Sequence, residues 1–213
     1  MGIIDPSSPL FGASGKIGNV VLYTVGGKTY FRSVPIRRKH GVSEALKMQS
    51  DRLAGAQTMY KSVKRGMLKE VFHAEARRLG VRSGYNLFTG RNMRAFGAGE
   101  YVDYSLLVLS VGGLQLPFEL RVEEAGNGTV TLAWADNSGQ GSAQGDDGLR
   151  VAYIAEEAPF TVHVLPEVVA VRADGKAEVA LPEGTGGRLH LYVFFQSEDG
   201  ERFSESRYFM VNL

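Results

Sequence analysis

Residues 127–153, NGTVTLAWADNSGQGSAQGDDGLRVAY, decide the fold and hold the only tryptophan of the chain. From 129 to 134 small or polar residues alternate with Val130, Leu132 and Trp134, the period of two that marks a strand with one buried face. Residues 149–154 read as its partner strand. Between them lies a run of Asp, Asn, Ser, Gly and Gln, too polar to bury and rich in turn formers. A strand with a core Trp134, a polar loop and a strand with a core Tyr153 predict the heart of a small β-sandwich, which is a scaffold and implies no activity by itself.

Downstream of residue 101 the pattern is all β. Strands are expected over residues 106–110, 118–123, 129–134, 149–154, 160–165, 176–181, 189–196 and 208–211, separated by turns such as Asn127-Gly128, Asp174-Gly175 and Asp199-Gly200. Upstream the period changes to near 3.6. Leu46, Leu53, Ala56, Tyr60, Val63 and Met67 form one apolar stripe, with Ser43 as N-cap and Glu44 in the first turn. Past Gly66 a second stripe, Leu68, Phe72, Ala76 and Leu79, is displaced by one residue, which predicts a break there. A third helix is expected from about 85 to 96. Residues 1–11, with Pro6 and Pro9, read as an extended arm, and residues 12–35 as a β-hairpin turning at Gly26-Gly27. The expected fold is therefore α+β: a basic N-terminal domain over 1–100 (arm, hairpin, helices), then an acidic antiparallel sandwich over 101–213. Trp134, Tyr153 and the Leu191–Phe194 run give that sandwich a resemblance to the fibronectin type III and immunoglobulin-like arrangements.

Several motifs in order, GKIGNVVLYTVGGKTYFRSVP, SGYNLFTGRNM, DYSLLVLSVGGL, VTLAWADNSGQGSAQGDDGLRVAY and LHLYVFFQSEDGERFSESRY, resemble an uncharacterised protein family common in the Bacteroidota. The resemblance implies a fold and supplies no catalytic residue. The hairpin-and-helix portion is also similar to modules of prophage-encoded proteins.

Composition narrows the chemistry. The chain has 213 residues and no cysteine, so disulfides, thiolate zinc sites and cysteine nucleophiles are excluded. Met1 to Pro6 shows no basic segment leading into an apolar one, and no run approaches the length of a membrane span, which reads as a cytoplasmic chain at synthesis. Gly12 to Lys16 lacks the spacing and the following helix of a phosphate loop. Asp136, Ser138, Gln140, Gly141 and Asp147 match the count of a calcium loop, but strands flank them. His40, His73, His163 and His190 show no ligand or triad spacing. The residues thus point to a non-catalytic protein without a cofactor.

Charge is the strongest remaining signal. Residues 1–100 hold 17 Lys and Arg against 6 Asp and Glu, and residues 101–213 hold 7 against 17. Such polarity favours contact between unlike halves or with an acidic partner. The expected role is a structural subunit that joins copies of itself, or a larger particle of phage or phage-derived type. Apolar Ile17, Val20 and Leu22 of the hairpin and basic Arg37, Arg38 and Lys39 are its expected partner-binding residues. One alternative is a nucleic-acid surface on the basic half, with Lys61, Lys64, Arg65, Arg77 and Arg82 adding to it, and a second is an enzyme of unknown type whose carboxylates meet only in the fold.

Overall fold

The computed structural model describes residues 2–35, 41–167, 170–182 and 184–213. It forms two compact units, Met1–Ser43 and Glu44–Leu213. The change of period near residues 97–101 marks the passage from helices to strands, while the division between compact units falls at Ser43.

In the first unit β1 (Gly2–Ile4), β2 (Gly15–Ile17), β3 (Val20–Val25) and β4 (Lys28–Ser33) make a four-stranded antiparallel sheet in the order β1-β4-β3-β2. Gly26 and Gly27 turn β3 into β4 with φ of 58° and 74°, a backbone that glycine adopts without strain. The expected hairpin is thus the centre of a larger sheet, and part of the expected arm is a strand. β1 pairs with β4, Gly2 opposite Phe31 and Ile4 opposite Thr29, so main-chain groups on that side of β4 are satisfied. Gly12 N then donates to Thr29 Oγ1 at 2.8 Å.

The larger unit opens with α1 (Glu44–Val63), α2 (Leu68–Arg78) and α3 (Gly84–Asn92). The break between α1 and α2 falls at Gly66 as expected, and Ser83 caps α3 by accepting from Asn86 N at 3.2 Å. One part of the stripe on α1 differs from expectation. Leu46 and Leu53 are exposed, and burial begins only at Gly55, Ala56, Met59 and Val63. At Gly55 the ring of Phe96 comes so close that a Cβ would stand 2.8 Å from it, so helix contact starts where a side chain is absent.

Seven strands follow: β5 (Phe118–Gly126), β6 (Thr129–Ala135), β7 (Gly148–Ala155), β8 (His163–Val164), β9 (Lys176–Ala180), β10 (Arg188–Gln196) and β11 (Arg207–Asn212). They form two antiparallel sheets, β5-β6-β9 and β11-β10-β7-β8, the fibronectin type III-like sandwich. β6 and β7 are not hydrogen-bonded partners, contrary to the sequence reading. β6 pairs with β5 and β9, and β7 with β10 and β8. Their side chains meet across the sandwich instead, where Trp134, Leu149, Val151 and Tyr153 share one apolar cluster. The expected strand at 106–110 is also absent. A 3-10 turn, Tyr104–Leu106, leads into irregular chain held by side chains: Val108 N donates to Asn92 Oδ1 at 2.7 Å and Leu109 N to Ser206 Oγ at 3.0 Å. The strand expected over 160–165 shortens to β8, because Val162 N is taken by Ser62 Oγ at 2.9 Å.

β10 explains why helices and sandwich are one unit. Leu189, Leu191, Val193 and Phe195 point into the sandwich. Tyr192 and Phe194, with Ala152 and Ile154 of β7, point the other way and share a cluster with Met59, Phe72, Phe88 and Phe96 of the helical segment. The order of layers is helices, four-stranded sheet, three-stranded sheet.

The polar loop between β6 and β7 is fixed by Arg172, whose side chain is fully buried. Its Nε donates to Asp147 Oδ2 at 3.0 Å, Nη1 to Asn137 Oδ1 at 2.7 Å and Nη2 to the Gln115 carbonyl at 2.7 Å. The guanidinium lies over the Phe195 ring at 4.7 Å. Trp134 Nε1 donates to the Arg172 carbonyl at 2.7 Å. Burial lowers the Arg172 pKa, and Asp147 works against that shift.

Two outcomes test this architecture. Arg172→Ala leaves Asp147 charged, buried and unpaired, so urea unfolding is expected to lose about 3–5 kcal/mol; a loss within the range of a surface substitution would contradict it. A 44–213 fragment is expected to melt as one cooperative unit, whereas a 101–213 fragment exposes Ile154, Tyr192 and Phe194 and is expected to bind a hydrophobic dye or aggregate.

Candidate functional site

The first sheet presents two unlike faces, fixed by register. Residues directly opposite in an antiparallel pair share a face. Ile17 is opposite Val20, Gly15 opposite Leu22, and Leu22 opposite Phe31. The apolar residues Ile17, Val20 and Leu22 therefore do lie together, joined by Phe31 and by Ile4 of β1. Leu22 is buried, Val20 half-buried, and Ile17 and Phe31 are exposed by 58% and 41%. Arg37, Arg38 and Lys39 lie outside the described residues.

The opposite face is built in rows. Ile3, Tyr30 and Tyr23 run across β1, β4 and β3, with the two tyrosine rings stacked at 5.6 Å and 19°. On one side lie Arg32, Val21 and Lys16, and on the other Lys28 and Val25. The Arg32 guanidinium stands 6.0 Å from the Tyr23 ring centre. None of these side chains is buried. Sequence reasoning missed this face; its signal was the alternation Lys28, Tyr30, Arg32 in β4.

The calcium-loop count places no ligand set. Asp147 is held by Arg172, Asp136 accepts from Ser138 N at 2.9 Å, and among the described residues no group of three His, Asp or Glu converges on a point. Two clefts of the larger unit border the helical segment. One, of about 450 Å³, runs between the α1–α2 break and β8 and includes Ser62, Arg65, Val162 and His163. The Ser62 hydroxyl is occupied, since Ser62 Oγ also donates to the Val162 carbonyl at 3.3 Å. The other, of about 360 Å³, includes Glu75, Arg78, Gly112 and Arg202. There Arg78 clasps the buried Glu75 carboxylate through two bonds of 2.7 and 2.6 Å.

Of the histidines, His163 stacks on Tyr153, His73 lies against Gly84, and His40 is outside the described residues. His190 is the buried one, exposed by 4%. Its ring stacks on Tyr104 at 3.6 Å, its Nδ1 shares a hydrogen bond of 2.9 Å with Tyr208 Oη, and its Nε2 has no partner among the described residues. Tyr192 Oη donates to the Tyr104 carbonyl at 2.9 Å, closing the group. Burial lowers the His190 pKa most, Glu156 raises it and Arg188 lowers it further; burial likewise raises those of Tyr104, Tyr192 and Tyr208.

A family model described as a family of unknown function (DUF6266) matches residues 12–210. No curated protein matches the chain. Among solved structures, the fibronectin type III domain of human fibronectin type III domain containing protein 3 aligns at 17% identity with a TM-score of 0.32, covering 48% of this chain and 88% of that one. No helix among the described residues is long and apolar enough to cross a membrane.

The His190 geometry has a pH consequence. Its folded pKa lies below the unfolded value of about 6.5, so between the two the unfolded chain binds the proton and the folded one does not. Stability is therefore expected to fall as pH falls below about 6.5. Urea melts of the wild type and His190→Phe at neutral and mildly acidic pH check this; an equal slope in both would rule it out.

Proposed function

The chain belongs to the family of unknown function DUF6266, and from that premise we propose that it is a non-catalytic structural subunit that assembles with copies of itself. One observation carries this reading. In the unit Met1–Ser43, Leu22 is the only buried apolar side chain among the described residues, while Ile3, Leu10, Phe11, Ile17, Val25, Phe31 and Val42 are exposed. Burying one large apolar side chain stabilises by about 1.5–3 kcal/mol, and fixing each residue's backbone costs about 1–2 kcal/mol. A sheet so poor in core needs another surface to complete it. The face of Ile17, Val20, Leu22 and Phe31 is the apolar part of that contact.

Charge supports a head-to-tail arrangement. Residues 1–43 carry six Lys and Arg against one Asp, whereas the segment from 101 carries seven against 17 Asp and Glu. Unlike patches on different parts of one chain join heterologously, closing rings or extending filaments. In the clefts, the Ser62 hydroxyl and the Glu75 carboxylate are already engaged, in keeping with that reading. A particle of phage or phage-derived type, in a Bacteroidota setting, is the context the sequence resemblance brings to this reading.

Light scattering across protein concentrations tests it. The full chain is expected at a multiple of 23.2 kDa, dissociating as salt shortens the screening length to about 3 Å near 1 M. Ile17→Glu is expected to shift it towards the monomer, and a 44–213 fragment is expected to be monomeric. A full chain that stays at 23.2 kDa at every concentration and at low salt overturns the proposal.

A further inference from the structure

We propose that the cationic face of the N-terminal sheet docks on the outer face of the three-stranded sheet β5-β6-β9 in a second copy, with Lys16 and Arg32 pairing with Glu124 and Glu178. The inference rests on the assembly reading above and names the contact that its unlike charges make. Strand register carries it. In the first sheet Lys16, Val21 and Arg32 form one row across β2, β3 and β4. Two cations there flank an apolar residue, two strand spacings or about 10 Å apart. In the sandwich Glu124, Thr131 and Glu178 form one row across β5, β6 and β9. Two carboxylates there flank a short side chain at the same spacing. Val130 and Leu132, on either side of Thr131, enter the core, so this row faces outward, and both glutamates are exposed.

Charge complementarity selects the occupant. Lys16, Arg32, Glu124 and Glu178 have no ion-pair partner among the described residues. Glu123, beside the acidic row, is by contrast bonded to Arg121 and to Lys176 at 2.9 Å each. Nucleic acid would satisfy the cations and leave the row of Glu124 and Glu178 without a counterpart, whereas a second copy accounts for both rows. Antiparallel sheets stack face to face at about 10 Å, a gap that Lys, Arg and Glu side chains span. The contact needs no open aromatic ring: Tyr23 and Tyr30 stay stacked on each other, and Arg32 remains exposed where it stands over Tyr23. Such charge pairs set orientation and salt dependence, and joining two unlike rows makes the arrangement head to tail.

The test is the mass of the full chain by light scattering over a concentration series at low salt, with folding checked by far-UV circular dichroism. Lys16→Glu with Arg32→Glu, and separately Glu124→Lys with Glu178→Lys, set like charges opposite one another. Each pair is expected to raise the concentration of half-assembly by about 100-fold. Mixing the two folded, reversed chains restores opposite charges at every contact and is expected to restore the wild-type mass, as is one chain carrying all four changes. Glu157→Lys with Glu201→Lys, which shifts the net charge equally, is expected to leave assembly unchanged. A wild type that assembles, with reversed chains that assemble equally well, overturns this contact and leaves the assembly reading standing; a wild type that stays at 23.2 kDa overturns both. The contact is also overturned by folded reversed chains that fail to rescue each other, by an equal loss in the Glu157 and Glu201 pair, or by a Lys16 and Arg32 reversal that keeps its mass and loses binding to a labelled oligonucleotide.

Discussion

The buried pair of Arg172 and Asp147 is the constraint on which the sandwich depends. Two charges taken from water cost several kcal/mol each, and they are offset here because each of the three guanidinium nitrogens has a hydrogen-bond partner. Arg172 lies on the approach to β9, and its partners come from the segment before β5 and from both ends of the β6–β7 loop. A loop whose sequence reads as solvated is thereby tied down at Asn137 and Asp147, and Trp134 is locked to the same residue through its indole N–H. The pair acts as a register device: it sets which parts of three distant segments meet.

The β7–β10 layer transmits that order to the rest of the larger unit. Both of its faces are buried, one against the three-stranded sheet and one against the helices. This is why β10 reads LHLYVFF, a nearly continuous apolar run rather than an alternation. His190 is the polar exception on the helix side. It is tolerated because Tyr104 and Tyr208 cover its ring and one nitrogen is bonded, and the unpartnered Nε2 makes it a point where protonation opposes the fold.

Much of this was legible from local pattern. The break at Gly66, the glycine turn of the first sheet and most of the strands follow from periodicity and turn chemistry, because each depends on near neighbours. Features set by distant contacts were not. Arg172 sits in an unremarkable Arg-Ala-Asp-Gly turn, and nothing local says that its side chain runs inward to Asp147. The segment 106–110 is as apolar as a strand, yet Asn92 and Ser206 satisfy its backbone in place of a ladder. Leu46 and Leu53 fit the stripe of α1, but periodicity cannot say how far along a helix its cover extends. At the candidate site, Ile17, Val20 and Leu22 were legible as an apolar set. The tyrosine and cation face was missed although the alternation in β4 and its pairing with β3 carry most of it; only Ile3 and Lys16 join it when β1 and β2 are placed on the outside of β4 and β3.

The first sheet differs in kind from the layers of the sandwich. In β10 successive residues enter two cores. In β4 the sequence KTYFRS sends Lys28, Tyr30 and Arg32 to one side and Thr29, Phe31 and Ser33 to the other, and neither set is built to fill an interior. A core strand would lose stability by carrying a cation at every second position of one face, since each would be buried without a partner. A binding strand gains by the same pattern, because the rings supply contact area and the cations stay hydrated until a partner of opposite charge arrives. The physical economy of the first unit is therefore that of a surface: one face supplies apolar area, the other supplies rings and positive charge, and the fold spends almost none of either on itself.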